Sequence, residues 1–246
     1  MASQFYDPGV HHDARVKELF TRIASRYDLI NDLQSFGLHR YWKRKLIAIA
    51  RPSVNDRALD ICCGTGDLAL MLAGRGTTVV GLDFNEHMLQ IAQNRKRAWQ
   101  DSSNRLHLTA PQFVQGDALK LPFPDHSFDI VTIAYGLRNL SDTKTGLNEM
   151  RRVAKPAGRL LILDFGKPDN PIWRGLYFTY LKFFVPLLGW IFCGSSSAYA
   201  YILESLKHYP AQRGVAAQMQ ELGLVNVRIV NLLGGVMSIN YGETRI

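Results

Sequence analysis

Acids flank a glycine turn at a spacing that suits ligand chemistry. The stretch Leu59-Asp60-Ile61-Cys62-Cys63-Gly64-Thr65-Gly66-Asp67 joins an apolar run to the start of a helical pattern. Gly64 and Gly66 allow ligand atoms to approach the backbone, and the N–H groups of the first helical turn face the ligand. Read as Gly64-x-Gly66-x-x-Ala69, the same stretch fits the dinucleotide fingerprint, so an NAD-dependent oxidoreductase is one reading. Asp60 and Asp67 weigh against it, because a pyrophosphate at that helix end would meet nearby carboxylates. A ligand carrying a sulfonium and an ammonium would be attracted instead, and S-adenosylmethionine is such a ligand.

Further candidates stand at the ends of later strand patterns. Asp83, followed by Phe84, closes the run from Thr77 to Leu82, where an acid accepts hydrogen bonds from ribose hydroxyls; its other reading is an N-cap for the next helix. Asp117 and Ala118 follow the run from Gln112 to Gln115. Tyr135-Gly136-Leu137-Arg138-Asn139 follows the wholly apolar run from Ile130 to Ala134.

The elements that must position these residues alternate. Strand patterns at 58–62, 77–82, 112–115, 130–134 and 159–165 are separated by helical patterns, and two more strands are expected near 225–231 and 236–241. This alternation predicts an α/β fold, a doubly wound, mostly parallel seven-stranded sheet of Rossmann-like type, forming a single domain over 1–246. Its ligand belongs at the carboxyl ends of the strands, where all the candidates above fall. Residues 12–31 read as one amphipathic helix, with Val16, Leu19, Phe20, Ile23 and Tyr27 at helical spacing, and a second helix follows over about 40–50. Together they are expected to form an N-terminal lid.

Composition sets limits. The chain of 246 residues is 47% hydrophobic and 20% charged, with a net charge of +8, as for an ordinary globular domain. The basic excess suits nucleic acid, an anionic membrane surface or solubility alone. Base-amino methylases carry Asn/Asp-Pro-Pro-aromatic after strand four; here Ala134-Tyr135-Gly136-Leu137 stands there, so no nucleic-acid partner is expected. Three cysteines, two of them adjacent, give neither a disulfide framework nor a zinc spacing, and no metal site is expected. Met1 to Val10 lacks the apolar core of a secretory signal, so the cytoplasm is the expected setting. Homo-oligomerisation is left open.

Four motifs carry a resemblance. They are Leu19-Phe20-x-x-Ile23-Ala24-x-x-Tyr27-Asp28 with Asn31; Leu59-Asp60 through Gly64-Thr65-Gly66-Asp67; Gly116-Asp117-Ala118 with Pro122-Phe123 to Phe128-Asp129; and Gly136-Leu137-Arg138-Asn139. Over roughly residues 15–242 the sequence resembles the membrane-quinone C-methyltransferases, which act on demethylmenaquinone or on 2-polyprenyl-6-methoxybenzoquinol. The resemblance implies a class I methyltransferase that uses S-adenosylmethionine, with donor contacts at Thr65, Asp83, Asp117 and Ala118. Two departures stand near the substrate mouth: Gly194-Ser195-Ser196-Ser197 where members often have an acid, and Asn240 where a histidine is common.

Carbon methylation of such a ring needs the reduced quinol, because an oxidised quinone is electrophilic. The protein must orient the partners, help remove a phenolic proton and stabilise the oxyanion. Asp67 is expected as the proton acceptor, or else as a helix N-terminal acid. Arg138 and Asn139 are expected to hold the phenolate, Arg138 having a loop-bracing salt bridge as its other reading. Tyr27, Asn31 and Tyr135 are assigned to the substrate side.

Asn170 and Pro171 open an aromatic insertion, over about 167–206, in which Trp173, Leu176, Tyr177, Tyr180, Leu181 and Phe184 share a helical stripe. The apolar run from Leu176 to Phe192 is interrupted by Lys182 and is too short for a comfortable membrane span. Tyr180 and Phe184 are expected to receive the prenyl tail of a lipid-tailed quinol, with peripheral contact at the inner face of a membrane.

Overall fold

Helix α1 (His12–Ile23), α2 (Tyr27–Ser35) and α3 (Leu38–Ala50) precede the first strand in the computed structural model. It describes residues 12–24, 27–101, 108–187 and 197–246, without the side chains of 12, 13, 27, 30 and 197–200. The expected single helix over 12–31 is therefore two, and its two pieces face different cavities. Phe36 and Gly37, both with positive φ (51° and 74°), turn α2 into α3.

The chain then alternates as expected: β1 (Arg57–Ile61), α4 (Asp67–Ala73), β2 (Thr78–Asp83), α5 (Glu86–Gln100), β3 (Gln112–Gln115), β4 (Phe128–Ala134), α6 (Thr143–Val153) and β5 (Ala154–Phe165). The α7 helix (Pro171–Thr179) runs into a π-helical turn over Tyr180–Phe184; α8 (Ser197–His208), α9 (Ala211–Glu221), β6 (Val225–Leu232) and β7 (Met237–Glu243) follow. Capping residues fix several starts. Asn85, Asp142 and Asn170 each accept a backbone N–H from the first turn of the helix they precede. Asn85, not Asp83, is thus the cap of α5.

The seven strands lie in the order β3-β2-β1-β4-β5-β7-β6. All neighbours are parallel except β7, which runs antiparallel to both β5 and β6. Strand β5 begins earlier than expected, and an irregularity in its pairing between Phe128 and Ile130 accommodates Pro156 to Gly158. The central strands are buried on both faces: Ala58, Leu59, Ile61, Ile130, Val131, Ile133 and Leu160 to Leu163 are all inaccessible or nearly so. At about 1.5–3 kcal/mol for each fully buried Leu, Ile or Val side chain, this layer fixes the strand ends. The order reverses between β1 and β4, which leaves a crevice at their carboxyl ends.

Candidate active site

Two cavities of about 280 Å³ each open at the carboxyl ends of the strands, and Tyr135 is the residue common to both linings. The first is bounded by Gly64, Asp83, Phe84, Gly116, Asp117, Ala118 and Asn139, with Val16, Lys17 and Phe20 of α1 as its cover. Asn85 fastens that cover: its side-chain amide donates to the Lys17 carbonyl at 3.1 Å and to Thr21 Oγ1 at 2.9 Å.

The glycine turn has the geometry its sequence implies. Gly64 and Gly66 have positive φ (54° and 79°), and a Cβ on Gly66 would lie 2.6 Å from the Phe113 ring. Asp83 accepts the Gly64 N–H at 2.8 Å on one oxygen and the Asn85 N–H at 2.9 Å on the other. Each oxygen keeps a lone pair for a ribose hydroxyl. Burial pushes the Asp83 carboxyl up, against the hydrogen bonds from Asn85, Gly64 and Phe84. Asp117 is exposed and accepts the Leu119 N–H at 2.8 Å.

The field in this cavity is negative. Burial raises the Cys62 thiol pKa well above its usual range, and the charges of Asp83, Asp60, Asp164 and Asp117 push it further. Asp60 is buried, accepts the Thr132 hydroxyl at 2.9 Å and leaves Oδ2 without a hydrogen-bond partner among the described residues. Burial raises its pKa to about 7. An acidic cavity with ribose-competent oxygens and a backbone cradle fits a cationic nucleoside. Asp60, Thr65, Gly66 and Asp67 do not line the cavity themselves. Thr65 is tied to Asp28 and Arg95 at 3.2 and 3.1 Å, and Asp28 also pairs with Arg95.

The second cavity is mainly apolar. Trp42, Phe165, Trp173, Leu176, Leu181, Val185, Val236 and Met237 form most of its wall, and Asn31, Ser35, His39, Tyr177 and Tyr180 supply polar atoms. Tyr180 donates to the Gln34 carbonyl at 3.0 Å. Tyr177 is buried, and its hydroxyl has no hydrogen-bond partner among the described residues.

Tyr135 stands at the seam in a left-handed conformation (φ 61°), which costs of order 1 kcal/mol for a residue with a side chain. Three contacts hold it there. Its N–H donates to the Leu163 carbonyl at 2.7 Å, and its own carbonyl accepts from the Arg138 guanidinium and, at 3.0 Å, from Asn139 Nδ2. Arg138 also pairs with buried Asp164 at 3.0 Å and stacks over Phe165, with its Cζ 4.6 Å from the ring centroid.

The model of the ubiE/COQ5 methyltransferase family matches residues 9–244. The chain belongs to that family. It is a methyltransferase, and S-adenosylmethionine is its methyl donor. Among its relatives, the ubiquinone/menaquinone biosynthesis C-methyltransferase UbiE of Ectopseudomonas mendocina is 42% identical over 231 residues, 93% of this chain and 88% of that protein. The demethylmenaquinone methyltransferase of Desulfitobacterium hafniense is 40% identical over 233 residues, 94% and 90% of the two chains. The fold is shared with a putative S-adenosyl-L-methionine-dependent methyltransferase from Methanococcus maripaludis, with a TM-score of 0.62 and 19% identity over 91% of this chain and 92% of that one. It is shared also with a possible histamine N-methyltransferase from Thermotoga maritima, with a TM-score of 0.62 and 18% identity over 93% and 99%.

For this methyltransferase, several sequence expectations need revision. Asp67 lines neither cavity; its carboxylate is 2.7 Å from Lys43 Nζ, which leaves it a poor proton acceptor. Arg138 lines neither cavity and occupies the bracing position, while Asn139 lines the first cavity. Phe184 is exposed and does not line the apolar cavity; it stacks on Tyr180, which does, with centroids 6.0 Å apart. Asn31 and Tyr180 line that cavity. The side chains of Tyr27 and Ser197, and residues 193–196 with the departures there, lie outside what is described. Asn240 is buried in β7, where its amide donates to the Gln212 carbonyl at 2.8 Å, so it serves packing and not the mouth. His39, Trp42, Tyr177 and Met237 were not assigned to a substrate site from sequence, and only Tyr177 had shown a signal, on the insertion's stripe.

Proposed function

We propose that this methyltransferase alkylates a ring carbon of a reduced, lipid-tailed quinone precursor, with demethylmenaquinol as substrate. The observation that supports this best is the seam: a polar donor cavity and an apolar cavity that meet at Tyr135. A donor that carries its methyl group on a sulfonium supplies an electrophile, so the acceptor carbon must be electron-rich, as in a quinol. Asp83, Gly64, Asp117 and Ala118 would hold the donor. Tyr177 offers a neutral hydroxyl to a ring oxygen, since burial raises its pKa, while Arg138 and its partner Asp164 act on it in opposite directions.

Membrane contact is part of this proposal. Phe36 and Leu176 line the apolar cavity and are exposed, as are Phe183, Phe184 and Leu187 in the segment that follows α7, and exposed apolar side chains of this kind suit a lipid surface. No helix among the described residues is long and apolar enough to cross a membrane. Relatives are named for both the menaquinone and ubiquinone routes, so a benzoquinol is the second reading. Anaerobic assays of demethylmenaquinol and 2-polyprenyl-6-methoxybenzoquinol, each with long and short tails, separate the two. A higher kcat/KM for the long-tailed naphthoquinol is expected; a preference for the benzoquinol overturns the ring assignment.

A further inference from the structure

The reaction proposed above needs a group that accepts the phenolic proton, and Asp67 is engaged elsewhere. His39 is 5% exposed, sits on α3 and lines the apolar cavity. Its hydrogen bonds fix its tautomer. Ser35 donates its only hydroxyl proton to the Asn31 carbonyl. Ser35 Oγ must then accept from both its neighbours, the His39 backbone N–H at 3.2 Å and His39 Nδ1 at 3.1 Å. Nδ1 therefore carries the ring proton, and Nε2 holds a lone pair with no hydrogen-bond partner among the described residues.

We propose that His39 Nε2 is the general base that takes the proton from the ring hydroxyl of the quinol, an inference that rests on the substrate reading above. The O–H bond breaks as the new N–H bond forms, and the oxygen's electron pair moves into the ring, whose carbon bonds to the methyl group as the methyl–sulfur bond of the donor breaks and its electron pair stays on sulfur, leaving a neutral thioether. After methylation that carbon loses its own hydrogen to solvent, and the imidazolium returns its proton to the ring oxygen. One proton is released overall.

The groups around His39 suit this role. Burial lowers its pKa below 6.5 and Lys43 on the same helix lowers it further, against Asp32 of α2 and Asp67 of α4, which raise it; Arg40 also lowers it. The imidazole is thus neutral at pH 7. Asp32 lies 3.6 Å from Nδ1, but its carboxylate is gripped by Arg40 at 3.1 and 2.7 Å, so Ser35 holds the tautomer.

The test uses kcat/KM for the quinol against pH, alongside ¹⁵N NMR of the imidazole in the unaltered full chain. The unaltered enzyme should lose activity with unit slope as the pH falls below the His39 value. His39→Ala and His39→Gln, checked for folding by thermal melts, should lose about 100-fold or more at pH 7. They should also lose that acid limb and gain activity as the pH rises toward ionisation of the ring hydroxyl, and His39→Ala should respond to added imidazole. Equal depression at every pH without rescue, or full activity, overturns the proposal, as does an NMR spectrum with Nε2 protonated. If the unaltered enzyme methylates no quinol, the substrate reading is what fails, and the NMR result still decides the tautomer.

Discussion

Lys43 Nζ lies 2.7 Å from Asp67 Oδ2, and the lysine side chain is 7% exposed. The pair ties α3 of the lid to the first turn of α4. It also sets the charge state of Asp67: burial pushes the carboxyl up, but Lys43, with Arg95 and His39, brings it below its ordinary 3.8. The acid beside the glycine turn is therefore an anchor for α3.

Asp67→Asn should cost stability more than chemistry. Asp67 is partly exposed, so the loss should be about 1 kcal/mol. Because its folded pKa is depressed, the contribution is present above pH 3.8 and disappears as the pH falls through the lowered folded value. Urea denaturation at pH 7 together with kcat measures both. A kcat loss of several hundredfold with unchanged stability would restore Asp67 to the chemistry.

Asp83→Ala removes the proposed ribose acceptor and should weaken S-adenosylmethionine binding by roughly 1.5–3 kcal/mol, the scale for hydrogen bonds to a charged group. Asp83 also holds the Gly64 N–H, so part of this loss passes through the glycine turn. Isothermal calorimetry showing unchanged affinity would remove Asp83 from the donor site.

Asp60 predicts a pH effect of opposite sign to Asp67. Its folded pKa is raised from 3.8 to about 7 by burial. The stability linked to its protonated form is fully present below 3.8 and is lost as the pH rises through about 7. In ligand-free protein, Asp60→Asn should therefore gain in stability relative to the unaltered chain between about pH 4 and pH 8. Melting curves across that range that stay parallel would contradict the raised value.

Arg138 is paired with Asp164, which is 1% exposed. Arg138→Ala leaves that carboxylate buried without its partner and loosens the carbonyl of Tyr135, so a loss of about 3–5 kcal/mol is expected. Chemical denaturation with an unchanged midpoint would show that the loop does not depend on this brace.

The lining of the first cavity was legible because it follows from periodicity. Asp83 ends an apolar run and Asp117 follows the short strand pattern Gln112 to Gln115, and in a parallel sheet such ends converge on one edge. The acceptor half was not, because its wall gathers α2, α3, α7, β5 and β7, segments that only the topology brings together. His39 gave no signal in sequence: its meaning depends on Ser35 and Asn31 one and two turns earlier on a lid whose break was not foreseen. The pairing of Asp67 was not legible because its partner, Lys43, stands on α3, outside the glycine-turn motif, and only the fold brings the two together. Arg138 took the bracing reading because Asp164 lies inside β5, where an apolar run concealed its pairing.

Methyl transfer measured anaerobically on matched quinol and quinone forms of one long-tailed substrate, with the product located by mass spectrometry, tests the central claim most directly. A methyl group on a ring carbon, formed from the quinol and not from the quinone, is the expected result. Equal turnover of both forms, or a methyl group on oxygen alone, would contradict it.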